Sequence, residues 1–148
     1  MVTQNLERLS VASAAPVGKS SAAKLHVLIA DDDAEMRSLL ALALTHAGYN
    51  VMECRDGEEL SLCLRESSTS QAERVDLVIS DVRMPGLTGL GVLKIHGAKP
   101  RCPPIILMTA FGDKLTRLEA ERMGAVAFFD KPFCLDDLIA KVRTLAPP

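Results

Sequence analysis

Three aspartates, one threonine and one lysine carry the chemistry that this chain suggests. Asp31 and Asp32 follow the apolar run LHVLIA, Asp81 follows VDLVIS, Thr109 follows PIILM, and Lys131 follows AVAFFD. Carboxylates that converge in one crevice repel each other, and a hard, oxygen-bound dication relieves the repulsion. Mg²⁺ characteristically takes one or two carboxylates, keeps several waters and leaves room for a substrate phosphate. A lysine and a hydroxyl beside it would give a positive charge and a donor to an anion held next to the metal. Brought together, the five residues would handle a phosphoryl group.

Bringing them together requires the five apolar runs to be parallel strands ending at one edge, because the carboxyl edge of an open α/β sheet is where the crevice opens. From Lys24 onward the pattern supports this. Strands are predicted at 25–30, 50–54, 75–80, 104–109 and 125–129. Between them, Met36, Leu39, Leu40, Ala43 and Ala47 recur at spacings of three and four, marking the inner face of a first helix that Gly48 ends. Asp33 is predicted to cap that helix, not to act as a third metal ligand. Leu60, Cys63 and Leu64 mark a second helix, followed by SSTSQAE as a polar loop. Thr88 caps a short third helix with Leu90 and Leu93 inward; Leu115, Leu118 and Met123 mark a fourth, and Leu135, Leu138, Ile139 and Val142 a fifth. Five successive βα units imply a doubly wound parallel sheet with helices on both faces and right-handed crossovers.

Composition allows this fold and narrows its function little. At 148 residues the chain has the length of one domain, and a domain of that size buries about 68–70% of its unfolded surface. A net charge of -2 gives no support for nucleic-acid binding through bulk charge, which would show as a basic face or stripe, and no run approaches the roughly 18 apolar residues of a membrane span. One tyrosine, four phenylalanines and no tryptophan predict an aliphatic core. Cys54, Cys63, Cys102 and Cys134 form no C-x-x-C pair and read as reduced, mostly packed thiols of a cytosolic protein. His26, His46 and His96 are equally scattered, and His26 reads as a core or edge residue of a strand. Residues 1–23, rich in Ser and Ala, read as a flexible tail with a weak helix over 4–12. They lack the basic start and apolar run of a secretory signal, and Gly18-Lys19-Ser20 lacks the glycine at position 13 and the preceding strand of a phosphate loop.

The segments VLIADDDAEMRSLL, ISDVRMPGLTGL, ILMTAFG and AFFDKPF, in this order, resemble the receiver domain of two-component response regulators over residues 24–146. The resemblance implies a flavodoxin-like sheet of strand order 2-1-3-4-5 with five helices. It implies that Asp81 is the phosphoacceptor, attacking the phosphorus of a phosphohistidine to give an acyl phosphate. Asp32 then corresponds to a direct Mg²⁺ ligand, Asp31 to a second acid acting through water, and the backbone carbonyl of Arg83 to a further ligand beside Asp81. Lys131 corresponds to the partner of the acceptor carboxylate and later of the phosphate, Thr109 to the switch hydroxyl, and Pro132 to the residue after a cis peptide.

The chain departs from the family's commonest pattern where the signal leaves the site. Phe128 occupies the switch position that often holds tyrosine, so it can swing but cannot hydrogen-bond through a phenolic oxygen. Arg83 and Phe111, each two residues past a site residue, flank the water approach and are expected to lengthen the life of the acyl phosphate. The resemblance also implies a histidine kinase or histidine phosphotransfer protein as donor. It implies a downstream protein target on the face of the fourth helix, fifth strand and fifth helix, with homodimerisation on phosphorylation left open. It implies a cytoplasmic protein that contacts neither nucleic acid nor membrane through this domain and is no enzyme beyond self-catalysed phosphoryl acceptance and loss. Two other readings compete. One is a phosphorylation-independent docking domain of the same fold. The other is an aspartate-nucleophile phosphatase of the haloacid dehalogenase type, against which Glu35 stands where that motif has threonine.

Overall fold

The structure is a computed structural model that describes residues 23–69 and 74–148. The tail's expected helix at 4–12 and Gly18–Ser20 lie outside the described residues. Five strands, β1 (His26–Ala30), β2 (Asn50–Cys54), β3 (Leu77–Asp81), β4 (Ile105–Thr109) and β5 (Ala127–Asp130), form one sheet of order β2-β1-β3-β4-β5. All four pairings are parallel. The helices are α1 (Ala34–His46), α2 (Gly57–Thr69), α3 (Gly89–His96), α4 (Lys114–Arg122) and α5 (Leu135–Leu145).

Strand alternation divides the core into two layers. Leu28, Ala30, Val78 and Leu107 point to one face, where Leu60 and Leu64 of α2, Val92 and Leu93 of α3 and Ala120 of α4 cover them. Val27, Ile29, Leu77, Ile79, Ile106 and Met108 point to the other, under Leu40 and Leu44 of α1 and Leu138 and Val142 of α5. Strands β3 and β4 are buried along their whole length, as strands covered on both faces must be. Tyr49 is buried in the second layer and donates its hydroxyl to the Ala146 carbonyl at 2.6 Å, tying the start of β2 to the end of α5.

Local sequence explains where α1 begins and ends. The Asp33 carboxylate accepts from the Glu35 and Met36 amides, satisfying donors that an uncapped helix leaves free. After the cap residue Ala47, Gly48 adopts φ +103°, a conformation open to a residue without Cβ. Thr88 caps α3 through the Gly91 amide.

Several expectations need correction. Leu39 is half exposed, and the inner face of α1 runs through Leu40 and Leu44. Leu115 and Leu118 of α4 are 77% and 50% exposed, and Ala120 is the residue that α4 buries. The second helix runs on to Thr69 in place of a loop from Ser67, because Ser68 and Thr69 donate back to the Arg65 and Glu66 carbonyls. Strand β3 starts two residues late and takes in Asp81 itself. Strand β5 starts at Ala127 because Gly124, at φ +97°, and the residues after it complete the turn out of α4.

Candidate functional site at the carboxyl edge of the sheet

Parallel pairing in register brings the five residues to one edge. Asp31 leaves β1, Asp81 and Thr109 are the last residues of β3 and β4, and Lys131 follows β5. The β1–β3 and β3–β4 ladders align Ala30 with Ser80 and Asp81 with Met108, so the acidic ends sit side by side. The Lys131 amide donates to the Thr109 carbonyl at 2.8 Å, which extends the β4–β5 pairing into the site.

Lys131 lies between two carboxylates. Its Nζ is 2.9 Å from Asp31 Oδ2 and 3.2 Å from Asp81 Oδ2. Asp31 is completely buried, and its other oxygen accepts the Asp33 amide at 2.9 Å. Asp81 is 7% exposed, and its other oxygen accepts the Arg83 amide at 3.2 Å. Thr109 is buried, and its hydroxyl accepts the Phe111 amide at 3.2 Å. The Lys131–Pro132 peptide is cis.

Electrostatics separates these groups. Burial raises the Asp81 carboxyl above the usual carboxylate range; Lys131 opposes the rise and Asp31 adds to it. Burial would lower the Lys131 ammonium, but Asp31 and Asp81 together outweigh burial and hold it above the ordinary lysine value. One ammonium thus faces two carboxylates, and a third lies beside them.

Oxygens of Asp31, Asp32 and Asp81 all lie within 4.8 Å of one another. Hard carboxylate oxygens in this number, with a single ammonium to offset them, fit a divalent cation such as Mg²⁺. Asp32 is exposed and makes no ion pair or side-chain hydrogen bond among the described residues, whereas both oxygens of Asp31 are engaged by protein donors. Asp32 is therefore the carboxylate most open to a metal.

Other predicted residues gather around this centre. The Arg83 guanidinium stacks over the Phe111 ring at 5.2 Å from its centroid. Phe128 is half buried, and the Arg117 guanidinium lies 4.9 Å from its ring centroid. A surface cavity lies at the opposite edge of the sheet, between Ser67–Thr69, Arg74–Asp76 and Pro100–Pro104, away from these groups.

A family model described as the response regulator receiver domain matches residues 27–143. The chain belongs to the response regulator receiver family. This receiver is 39% identical over 121 residues to the transcriptional regulatory protein FixJ of Bradyrhizobium diazoefficiens, covering 82% of this chain and 56% of that protein. It is 35% identical over 119 residues to the transcriptional regulatory protein CpxR of Klebsiella pneumoniae, covering 80% of this chain and 48% of that protein. The receiver thus spans about half the length of the curated relatives it matches. Among solved structures, the chemotaxis protein CheY4 of Vibrio cholerae matches with a TM-score of 0.70 at 28% identity, covering 83% of this chain and 99% of that one. The receiver domain of a Francisella response regulator matches with a TM-score of 0.73 at 27% identity, covering 82% and 96%. These likenesses bear out the family, the flavodoxin-like fold and its strand order.

Some residues around the receiver's site were missed in the sequence. Arg37 of α1 donates to the Asp31 carbonyl at 2.8 Å and pairs with Glu53 at 3.3 Å, fixing the turn that carries the acidic pair. A cation one turn into the helix after an acidic loop was the available signal. Arg117 and Asp130 form an ion pair at 2.7 Å between α4 and the end of β5. They are 13 residues apart, with a turn and a strand between, and no periodicity links them. Ser61 and buried His96 share a hydrogen bond at 2.8 Å between α2 and α3. Among the described residues no helix is long and apolar enough to cross a membrane.

Proposed function

We propose that this receiver is a phosphorylation-controlled switch that takes a phosphoryl group onto Asp81 from a histidine kinase or histidine phosphotransfer protein in the cytoplasm. The observation that carries the reading is the Asp31–Lys131–Asp81 arrangement, in which one part-buried ammonium holds the acceptor carboxylate beside an open acidic cluster. An Asp81 oxygen attacks the donor phosphorus, a P–O bond forms, and the P–N bond to the donor imidazole breaks as the ring takes up a proton. Asp32, Asp81 and the Arg83 carbonyl, with Asp31 acting through water, would hold Mg²⁺, which would offset the negative charge of the phosphoryl oxygens.

The chain's own residues carry the remaining steps. Lys131 exchanges its contact with Asp81 for one with a phosphoryl oxygen. The Thr109 hydroxyl gives up the Phe111 amide and donates to a second oxygen. Space vacated by Thr109 is open to the Phe128 ring, and the populations of the α4–β5–α5 face shift with it. Arg83 and Phe111, stacked on each other, screen the acyl phosphate from water. The domain does no chemistry on other substrates; it gains and loses its own phosphoryl group, and a protein partner reads the face.

Borohydride reduces an aspartyl phosphate to homoserine, which makes the acceptor directly visible. After acetyl phosphate and Mg²⁺, reduction and peptide mapping are expected to place homoserine at position 81. Homoserine at 31 or 32, or at no position, contradicts the assignment.

A further inference from the structure

We infer that Arg117 is a positioning residue that latches α4 and the Phe128 ring in the arrangement of the unphosphorylated domain; the inference rests on the reading of Asp81 as phosphoacceptor. Helix α4 is thinly attached. It buries Ala120 and turns Leu115 and Leu118 outward. Its amino end is held by the Asp113 cap on the Thr116 amide and by the Arg117 side chain.

That side chain makes two contacts at once, both with groups tied to the site. Nη2 is 2.7 Å from Asp130 Oδ2, and the guanidinium lies 4.9 Å from the Phe128 ring centroid. Asp130 is the register partner of Thr109 and the neighbour of Lys131. Between them runs the backbone of Gly112, where a Cβ would come within 2.4 Å of Asp130 Oδ1, 2.9 Å of Thr109 Cγ2 and 3.0 Å of Phe128 Cε1. A half-exposed ion pair alone contributes little. Here one planar cation spans an acid and an aromatic face, a geometry that lysine reproduces only in charge.

Mechanical coupling follows from the shared partners. A Phe128 ring that swings toward Thr109 leaves the guanidinium, and α4 then keeps only the Asp130 half of its latch. Conversely, a guanidinium stacked on the ring holds Phe128 in its half-buried place against the first core layer and opposes the switch. Removing Arg117 therefore moves the resting domain toward its phosphorylated arrangement.

Hydrogen–deuterium exchange on the full chain, with and without beryllofluoride and Mg²⁺ as a phosphoryl mimic, tests the latch. In the resting state Arg117→Ala is expected to exchange its α4 amides, Lys114–Arg122, several-fold faster than wild type. Beryllofluoride should then add little to α4 in the variant while still adding to it in wild type. Arg117→Lys should fall between, and Arg122→Ala on the same helix should behave as wild type. A beryllofluoride increment in α4 as large in Arg117→Ala as in wild type overturns the latch, as does faster exchange spread evenly over all helices. A wild type with no response to beryllofluoride anywhere contradicts the phosphoacceptor reading, and the latch's role falls with it.

Discussion

Asp81 sits in a compromise between burial and charge. Burial and the neighbouring Asp31 push its carboxyl up, and Lys131 pulls it back. A carboxyl held above its unfolded value binds more protons when folded. Without metal, its contribution to stability therefore falls as pH rises from the ordinary carboxylate value through the raised one. Asp81→Asn removes that cost, so the metal-free variant should melt higher than wild type at neutral pH, with the gap closing in acid. A thermal melt series against pH checks this, and a gap that widens in acid has the wrong sign. Lys131 has the same sign at higher pH: its raised value keeps its ion pairs through neutrality, and their contribution is lost as pH rises from the ordinary lysine value through the raised one. At the same scale, the Arg83–Phe111 stack should slow phosphate loss. The double variant Arg83→Ala with Phe111→Ala is expected to lose phosphate several-fold faster, and equal half-lives would refute the shielding.

At the scale of elements, the site depends on strands that end together and loops fixed by short-range bonds. The Asp33 cap starts α1 right after the acidic pair and donates its own amide to the Asp31 carboxylate. Asp33→Ala should cost about 1 kcal/mol, typical of a lost cap, and loosen the loop, readable as a lower denaturant midpoint with unchanged slope. Leu107, completely buried in β4, should cost about 2–5 kcal/mol on truncation to alanine. The strands were legible because short apolar runs followed by chemically matched polar residues have few alternative uses, and their order was implied by the resemblance to the receiver family. The caps at Asp33 and Thr88 were legible for the same reason, being local chemistry. The facing of α4 was not, since Leu115 and Leu118 have the spacing of a buried stripe and only the packing places them outward. Nor were the Arg37 and Arg117 contacts, which pair residues across elements without a repeating pattern. The five site residues were legible as a set because their types are complementary; the structure added that Lys131 bridges Asp31 and Asp81 while Asp32 stays open.

For the whole molecule, one sheet edge carries the site and one helical face carries an exposed apolar surface. Phe111, Leu115 and Leu118 are 69%, 77% and 50% exposed, continuous with the loop that leaves Thr109. The acidic site at the edge thus lies beside this exposed apolar surface. Metal binding should be felt by the whole fold, because a ligand that binds only the native state stabilises it by mass action, about 2.7 kcal/mol at a hundred times its dissociation constant. Mg²⁺ should raise the melting temperature of wild type, and Asp32→Asn should lose most of that rise. On the proposed reading, this assembly accepts one phosphoryl group on Asp81. The most direct measurement is the intact mass of wild type and Asp81→Asn after incubation with acetyl phosphate and Mg²⁺. One added phosphoryl group in wild type and none in Asp81→Asn is the predicted result; an unchanged wild type, or equal uptake by the variant, would contradict it.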